Sequence, residues 1–160
     1  MDNSNVRLAV HFLALLLTGL IAGAGLAVWL GYDPRGFNST VFLAVHQGAV
    51  RGLTTPMLLL SLGSLLFIAV SAWSVRKERL ALGLLVLAFV CLVAACVITA
   101  VHNQPINDQV AGWTAARVPR NWTALRETWW YWHGVRTALA LASFALAIVG
   151  VFWSRASGRT

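Results

Sequence analysis

Four residues in the last third of the chain have a spacing that could form a binding surface. Trp129, Trp132, His133 and Arg136 follow an i, i+3, i+4, i+7 pattern, which places them on one face of a helix. Indole, imidazole and guanidinium groups on one face resemble the wall of a pocket for a flat, acidic aromatic ligand. The other interpretation is an aromatic belt at the membrane surface, because indole is amphipathic and five of the eight tryptophans lie between positions 113 and 132.

A second group of polar residues directly follows an apolar segment: His102, Asn103, Gln104, Asn107 and Asp108. Pro105 disfavours helical backbone at Gln104, so we predict a break in the helix at this point. Asn107 or Asp108 would then cap a short helix that continues to Trp113. Capping needs fewer hydrogen-bonding groups than this run contains, so a ligand site is the alternative interpretation.

His46 and Gln47 lie on a predicted short amphipathic helix. Asn38 has the side chain of an N-cap, and the apolar residues that follow it recur at helical spacing. Gly52 and Pro56 predict a bend between this helix and the next apolar segment. His46 falls on the apolar stripe, so its ring should face the protein interior, either as a hydrogen-bonded structural group or as a functional one.

The elements that must position these residues are transmembrane helices. The chain has 160 residues, 59% of them hydrophobic and only 11% charged, a composition that excludes a disordered chain and a soluble single domain. Four apolar segments, residues 8–30, 56–75, 80–101 and 134–153, are long enough to cross a bilayer core about 30 Å thick. We predict an all-α fold: a bundle of four transmembrane helices in one domain over residues 1–160, with a tryptophan-rich, partly helical loop before the fourth span.

The connections between the spans differ in length. A tight basic turn joins the second and third spans, whereas the connections after the first and third spans are long and lie on one side of the membrane. His46, His102 and His133 fall at that side, and only His11 lies near the other. Long connections in compact proteins are usually functional. We therefore predict that the functional polar residues lie at this end and that the opposite end has almost none.

The distribution of charge predicts the topology. Basic residues near the span ends are evenly divided between the two sides, but Arg76, Lys77 and Arg79 crowd the tight turn. This side, with both termini and with Arg155 and Arg159, is therefore predicted to face the cytoplasm from the plasma (inner) membrane. The net charge of +7 fits anionic membrane lipid as a partner and not nucleic acid, because no basic stripe is interleaved with a soluble fold.

Cysteines and glycines inside the spans have structural interpretations. Cys91 and Cys96 do not have the CxxC spacing of a redox pair, so we predict that they are buried packing residues. Gly19, Gly23 and Gly25 give the first span a small-residue surface suited to close helix contact. That surface packs either within its own bundle or in a homo-oligomer.

With these residues in view, the sequence resembles the anthrone oxygenase-like family of small four-helix membrane proteins, over nearly the whole chain. The resemblance is carried by His46-Gln47, by Asn103-x-Pro105-x-Asn107-Asp108, and by Trp129-x-x-Trp132-His133-x-x-Arg136-Thr137. The last two motifs, in this order and separated by a tryptophan-rich loop, are fairly specific in combination.

The resemblance implies oxidation by O₂ of an anthrone or a related flat polyphenolic aromatic, with no flavin, haem or obligatory metal. Such chemistry needs a base to remove the acidic methylene proton, a dry cavity, and donors for the developing oxyanion. His46 or His133 would be the base, since histidine has an unperturbed pKa of about 6.5, and Asn107 and Arg136 would hold the oxyanion. The expected substrate-binding residues are Trp129, Trp132, His102, Asn103, Asp108 and Gln47.

Two other functions fit the same residues. His46, His102 and His133, together with Asp108, could hold zinc, copper or iron, although each lies on a separate segment and their spacing has no ligand signature. Alternatively, the protein is a non-enzymatic membrane subunit or a lipophile-binding protein whose polar end docks a partner. The sequence has no nucleotide-binding, c-type haem or HExxH motif that would name a cofactor.

Overall fold

Four long helical segments form the body of the protein. The computed structural model describes residues 3–157, which contain no β-strand and fold into α1 (Asn3–Gly31), α2 (Ser39–Ser74), α3 (Arg79–Ile98), α4 (Gln104–Ala111) and α5 (Trp122–Ser157). The helices α1, α2, α3 with its extension α4, and α5 are each long and apolar enough to cross a membrane. This confirms the predicted all-α fold and indicates an integral membrane protein; Arg159 lies outside the described residues.

The four long helices pack in a closed ring. Helix α1 contacts α2, α2 contacts α3, α3 contacts α5, and α5 returns to α1. The core between them is built from small and branched aliphatic side chains, among them Ala14, Ile68, Leu85 and Leu92, each at most 1% exposed. Small residues let helices approach closely in lipid, where van der Waals packing drives association.

Two of the three glycines of the predicted small-residue surface pack within this bundle. A Cβ atom at Gly19 would lie 3.0 Å from the ring of Phe144, and one at Gly25 would lie 3.0 Å from the hydroxyl of Thr137. Both contacts join α1 to α5, whereas Gly23 faces open space. The surface therefore serves the protein's own helix packing at two positions, and a homo-oligomer stays a prediction.

The helices are longer than the predicted spans. Helix α2 has 36 residues, about 54 Å at 1.5 Å per residue, against a bilayer core of about 30 Å. The predicted amphipathic helix is its first part, capped by Asn38, whose side chain accepts a hydrogen bond from the N–H of Val41. The predicted bend does not interrupt the helix at Pro56, because a proline removes one hydrogen bond of many in a helix that an apolar environment favours.

The predicted helix break at Gln104 is wrong. A π turn over Thr99–Asn103 joins α3 to α4, and the N–H of Gln104 donates to the carbonyl of Thr99, five residues earlier. This wider turn gives the ring of Pro105 room in the first turn of α4, so the chain stays helical. Asn107 and Asp108 consequently lie inside α4 and cap nothing.

Helix α5 begins 12 residues before the predicted fourth span. It starts at Trp122, so most of the tryptophan-rich segment is helix and only residues 112–121 form the connection. We call the end of the bundle with connections 32–38 and 112–121 the connector end, and the end with the termini and the α2–α3 turn the terminal end.

The terminal end is not bare of polar groups, contrary to the prediction. Arg7 donates to the carboxylate of Glu78 at 3.1 Å and to Nε2 of His11 at 3.3 Å. Nδ1 of His11 lies 3.1 Å from the hydroxyl of Ser71. Residues from α1, α2 and the α2–α3 turn thus form one polar network, which single-residue patterns did not reveal because its members are far apart in sequence.

Arg126 fastens the first connection to α5. Its guanidinium donates to the carbonyls of Pro34 and Phe37, both at 3.2 Å, and lies 4.9 Å from the ring centre of Trp122. The side chain is buried. We expect Arg126→Met to lower the free energy of unfolding by about 2–4 kcal/mol, because two carbonyls lose charge-assisted hydrogen bonds.

Denaturant unfolding in detergent measures this loss. Arg120→Met is the control, because Arg120 is exposed in the neighbouring connection and its loss should leave stability unchanged. Equal stability of the two variants would contradict a fastening role for Arg126.

Candidate active site at the connector end

A hydrogen-bonded group of three side chains joins α2, α4 and α5 at the connector end. Oδ1 of Asn107 accepts from Nε1 of Trp129 at 2.8 Å and lies 3.1 Å from Nε2 of His46. His46 is 1% exposed and Trp129 6% exposed. The prediction that His46 faces the interior is confirmed, and its contacts come from residues 61 and 83 positions away in sequence.

This arrangement assigns the tautomer of His46. An indole N–H only donates, so the atom of Asn107 that it contacts is the carbonyl oxygen. That oxygen only accepts, so Nε2 of His46 carries the proton and donates it to Asn107. Nδ1 of the neutral ring keeps its lone pair, and it forms no hydrogen bond with any group of residues 3–157. A neutral imidazole with one free nitrogen is the form that acts as a general base.

Asn107 has a structural task that was not predicted, and its role as an oxyanion donor stays a prediction. Its oxygen holds His46 and Trp129, and its Nδ2 lies 3.4 Å from the side-chain oxygen of Gln104. The amide oxygen therefore positions His46, and one of the two amide N–H groups is directed at Gln104. Asp108, expected to bind substrate, is exposed and accepts a hydrogen bond from Gln104 at 2.8 Å.

A second polar group surrounds Arg136. Its NH2 donates to Nδ1 of His133 at 2.9 Å, so Nε2 of His133 carries the proton and donates to the carbonyl of Gly25 at 3.2 Å. Both nitrogens of His133 are thus engaged, which leaves His46 as the candidate base. Arg136 also donates to the hydroxyl of Thr99 at 3.3 Å. Its Nε is buried without a partner, and no carboxylate among residues 3–157 pairs with it.

Trp129 links the two groups. Its ring stacks on His133 with centroids 5.0 Å apart, and His46 contacts it edge-on at 4.8 Å. Asn107 and Arg136 are therefore connected by a continuous set of contacts. The rings of Trp129 and His133 lie between them.

A pocket of about 100 Å³ opens between α2 and α4. It is lined by His46, Gln47, Val50 and Arg51 of α2 and by Asn107, Val110 and Ala111 of α4. None of Trp129, Trp132, His133 and Arg136 lines it. The predicted imidazole and amide do meet at one cavity, but the arginine that lines it is Arg51 and not Arg136. The sequence carried a signal for this residue, since Arg51 follows Gln47 by four positions and shares its helix face.

The comparison with protein families decides what kind of protein carries this site. Residues 42–146 match the family model described as anthrone oxygenase. The match covers about two thirds of the chain and includes all the residues that form the group around Asn107. The chain belongs to the anthrone oxygenase family. Family membership indicates oxygenase activity; no curated protein and no solved structure matches the chain.

In this anthrone oxygenase family protein, two predicted substrate-binding amides hold helices together. Nε2 of Gln47 donates to the carbonyls of Val110 at 2.8 Å and Trp113 at 3.1 Å, at the C-terminal end of α4 where carbonyls lack helical partners. Nδ2 of Asn103 donates to the carbonyl of Trp129 at 3.0 Å, and this side chain is fully buried. Both side chains therefore join segments of the bundle, Gln47 also lines the pocket, and Oδ1 of Asn103 is buried without a partner among residues 3–157. A role in substrate binding stays a prediction.

The remaining predicted residues form a separate contact in this family member. His102 stacks on Trp132 with ring centroids 3.7 Å apart and planes 4° from parallel. Within residues 3–157, no three His, Cys, Asp or Glu side chains are grouped so that they could hold a metal ion. The alternative ligand set of His46, His102 and His133 is therefore not assembled. Cys91 and Cys96 are free thiols, but both are half-buried and not buried as predicted.

Proposed function

We propose that this protein oxidises the methylene carbon of an anthrone, or of a related flat polyphenolic aromatic, with O₂ as co-substrate and His46 as the base. The observation that supports the proposal most directly is the pairing of His46 with Asn107 at the pocket, since it leaves Nδ1 as a free proton acceptor. The family match supports the reaction class. No flavin, haem or metal takes part in the proposed reaction.

The reaction begins with proton transfer. Nδ1 of His46 takes a methylene proton, and the electron pair of the C–H bond stays in the conjugated rings as an anthranolate. The anion passes one electron to O₂, and the two radicals combine at the same carbon. The resulting peroxide anion takes the proton back from His46, and the hydroperoxide loses water to give the ketone. Each turnover thus consumes one anthrone and one O₂ and releases one anthraquinone and one water.

The size of the pocket restricts how the substrate binds. A cavity of about 150 Å³ encloses a benzene ring, so a pocket of about 100 Å³ admits only part of a three-ring molecule. We infer that the edge bearing the methylene carbon enters between α2 and α4. The other rings then lie against the apolar surface at the membrane boundary, from which a lipophilic substrate arrives.

Arg136 acts on this site at a distance. An unpaired guanidinium in a low-dielectric interior stabilises negative charge that develops nearby, here across Trp129 and His133. Ionisable residues inside membrane proteins are costly and usually functional.

We expect Arg136→Met to reduce kcat by about tenfold, equivalent to about 1.4 kcal/mol, while the protein stays folded. The substitution removes a buried charge that no carboxylate among residues 3–157 pairs, which by itself stabilises the fold. This gain offsets much of the stability lost with the hydrogen bonds to His133 and Thr99. Turnover and thermal unfolding, measured on the same detergent preparation, give kcat and the stability of the fold. A variant that misfolds outright would make Arg136 a structural residue.

The proposed function is tested with the purified protein in detergent and with 1,8-dihydroxyanthrone as substrate. We expect O₂ uptake and quinone formation faster than in buffer, and neither without O₂. A protein that accelerates no anthrone or related polyphenol would be better described as a lipophile-binding module. A stoichiometric metal ion whose removal abolishes activity would instead favour a metal-dependent oxidoreductase.

A further inference from the structure

Of the two predicted oxyanion donors, Arg136 lies beyond Trp129 and His133 and does not line the pocket. Asn107 does line it, but its oxygen is taken by His46 and Trp129, and one of its two amide N–H groups is directed at Gln104. A charged donor at the pocket would stabilise a bound anthranolate more strongly than the one neutral N–H group that remains.

We propose that Arg51 binds the oxygen atoms of the ligand at the rim of the pocket. The side chain of Arg51 is exposed and lines the pocket five residues after His46 on the same helix. Within residues 3–157, no carboxylate forms an ion pair with its guanidinium and no carbonyl accepts a hydrogen bond from it. The donors of Arg51 are thus free to bind a ligand.

The chemistry of an anthranolate places its charge at this rim. The methylene carbon and the carbonyl carbon lie on opposite sides of the central ring. When the methylene edge faces His46 inside the pocket, the carbonyl oxygen points outward. Deprotonation moves negative charge onto that oxygen, so the stabilising cation belongs at the opening and not at the floor. Arg51 is the one arginine among the residues that line this pocket.

The pocket also indicates which substrates are preferred. Val50, Val110 and Ala111 supply apolar walls for a flat ring, and the planar guanidinium donates two parallel hydrogen bonds. Two oxygens side by side match this geometry, as in an aromatic whose hydroxyl flanks the carbonyl. We therefore expect Arg51 to favour, among the aromatic ketones of the proposed function, those with an acidic hydroxyl beside the carbonyl.

The test compares Arg51→Gln with Arg120→Gln, which removes the same charge from an exposed position in the connection between α4 and α5. Binding of 1,8-dihydroxyanthraquinone and of unsubstituted anthraquinone is measured by calorimetric titration in detergent. We expect Arg51→Gln to weaken binding of the dihydroxy compound about tenfold, the loss of one charge-assisted hydrogen bond, and to change binding of the unsubstituted compound much less. Arg51→Lys should restore part of the affinity, since lysine keeps the positive charge but lacks the planar pair of N–H donors.

Each outcome decides the inference. Equal binding by Arg51→Gln and Arg120→Gln would overturn it, as would an equal loss for both quinones, which indicates a general effect on the lipid or detergent surface. Absence of binding to the wild-type protein would also overturn it. If Arg51→Gln selectively weakens binding of the dihydroxy compound, the inference is supported even if the wild-type protein oxidises no anthrone. In that case only the oxygenase proposal fails. Circular dichroism shows that each variant is folded.

Discussion

His46→Gln should lose nearly all anthrone oxidation, with kcat lower by about 10²–10⁴, the usual contribution of a positioned general base. Glutamine keeps an N–H group that can donate to Asn107 in place of Nε2, so the network and the fold should persist. The group lost is Nδ1, which is the proton acceptor in the proposed mechanism. Initial rates of O₂ uptake, together with thermal unfolding, separate the loss of chemistry from the loss of structure.

His11→Gln is the matched control for this experiment. His11 is also buried and hydrogen-bonded, but it lies at the terminal end beside Ser71 and Arg7. Its variant should retain turnover. If His46→Gln stays active while His133→Gln is inactive, the base is His133 and the assignment from hydrogen bonding is wrong.

Asn107→Leu should destabilise the protein by about 2–6 kcal/mol and reduce turnover as well. Leucine fills a similar volume but accepts no hydrogen bond, so Nε2–H of His46 and Nε1–H of Trp129 lose their common acceptor. A buried donor without a partner costs about 1–3 kcal/mol, and two are created. The activity falls because nothing then holds the ring of His46 in one orientation and one tautomer.

Two further variants make this prediction specific. Asn107→Asp keeps an acceptor at the same place and should recover much of the lost stability. Asp108→Asn changes the exposed neighbour on the same helix and should leave the free energy of unfolding unchanged. Denaturant unfolding in detergent measures all three, and wild-type stability in Asn107→Leu would show that the three-residue group does not hold the helices together.

Much of the fold could be predicted because it depends on local physical properties. Four apolar segments of sufficient length require four membrane helices, and these are present. The cap at Asn38 and the inward orientation of His46 follow from the chemistry of one side chain and from helical periodicity. The helix ends are less well predicted, since α2 and α5 begin well before the predicted spans and a π turn accommodates Pro105.

Three of the predicted site residues, His46, Gln47 and Asn107, line the pocket, and the others do not. His46 and Asn107 meet as expected, whereas Arg136 contacts His133 and lies away from the pocket. Arg51 is not among the predicted site residues. Its spacing from Gln47 within α2 shows that the two share a helix face, but it does not show which residues that face contacts. Which partner a side chain finds depends on the depth and rotation of neighbouring helices, and spacing within one segment carries no information on either.

The sequence by itself determined that the protein has four helices able to cross a membrane, and at which end most of its histidines and amides gather, because these properties depend on segment length and residue type. Only the tertiary structure decided which nitrogen of His46 is free and which arginine lines the pocket. Both depend on hydrogen bonds and contacts between α2, α4 and α5. His46 and Asn107, for example, lie 61 positions apart in the sequence. Directional contacts of this kind exist only once the helices are packed.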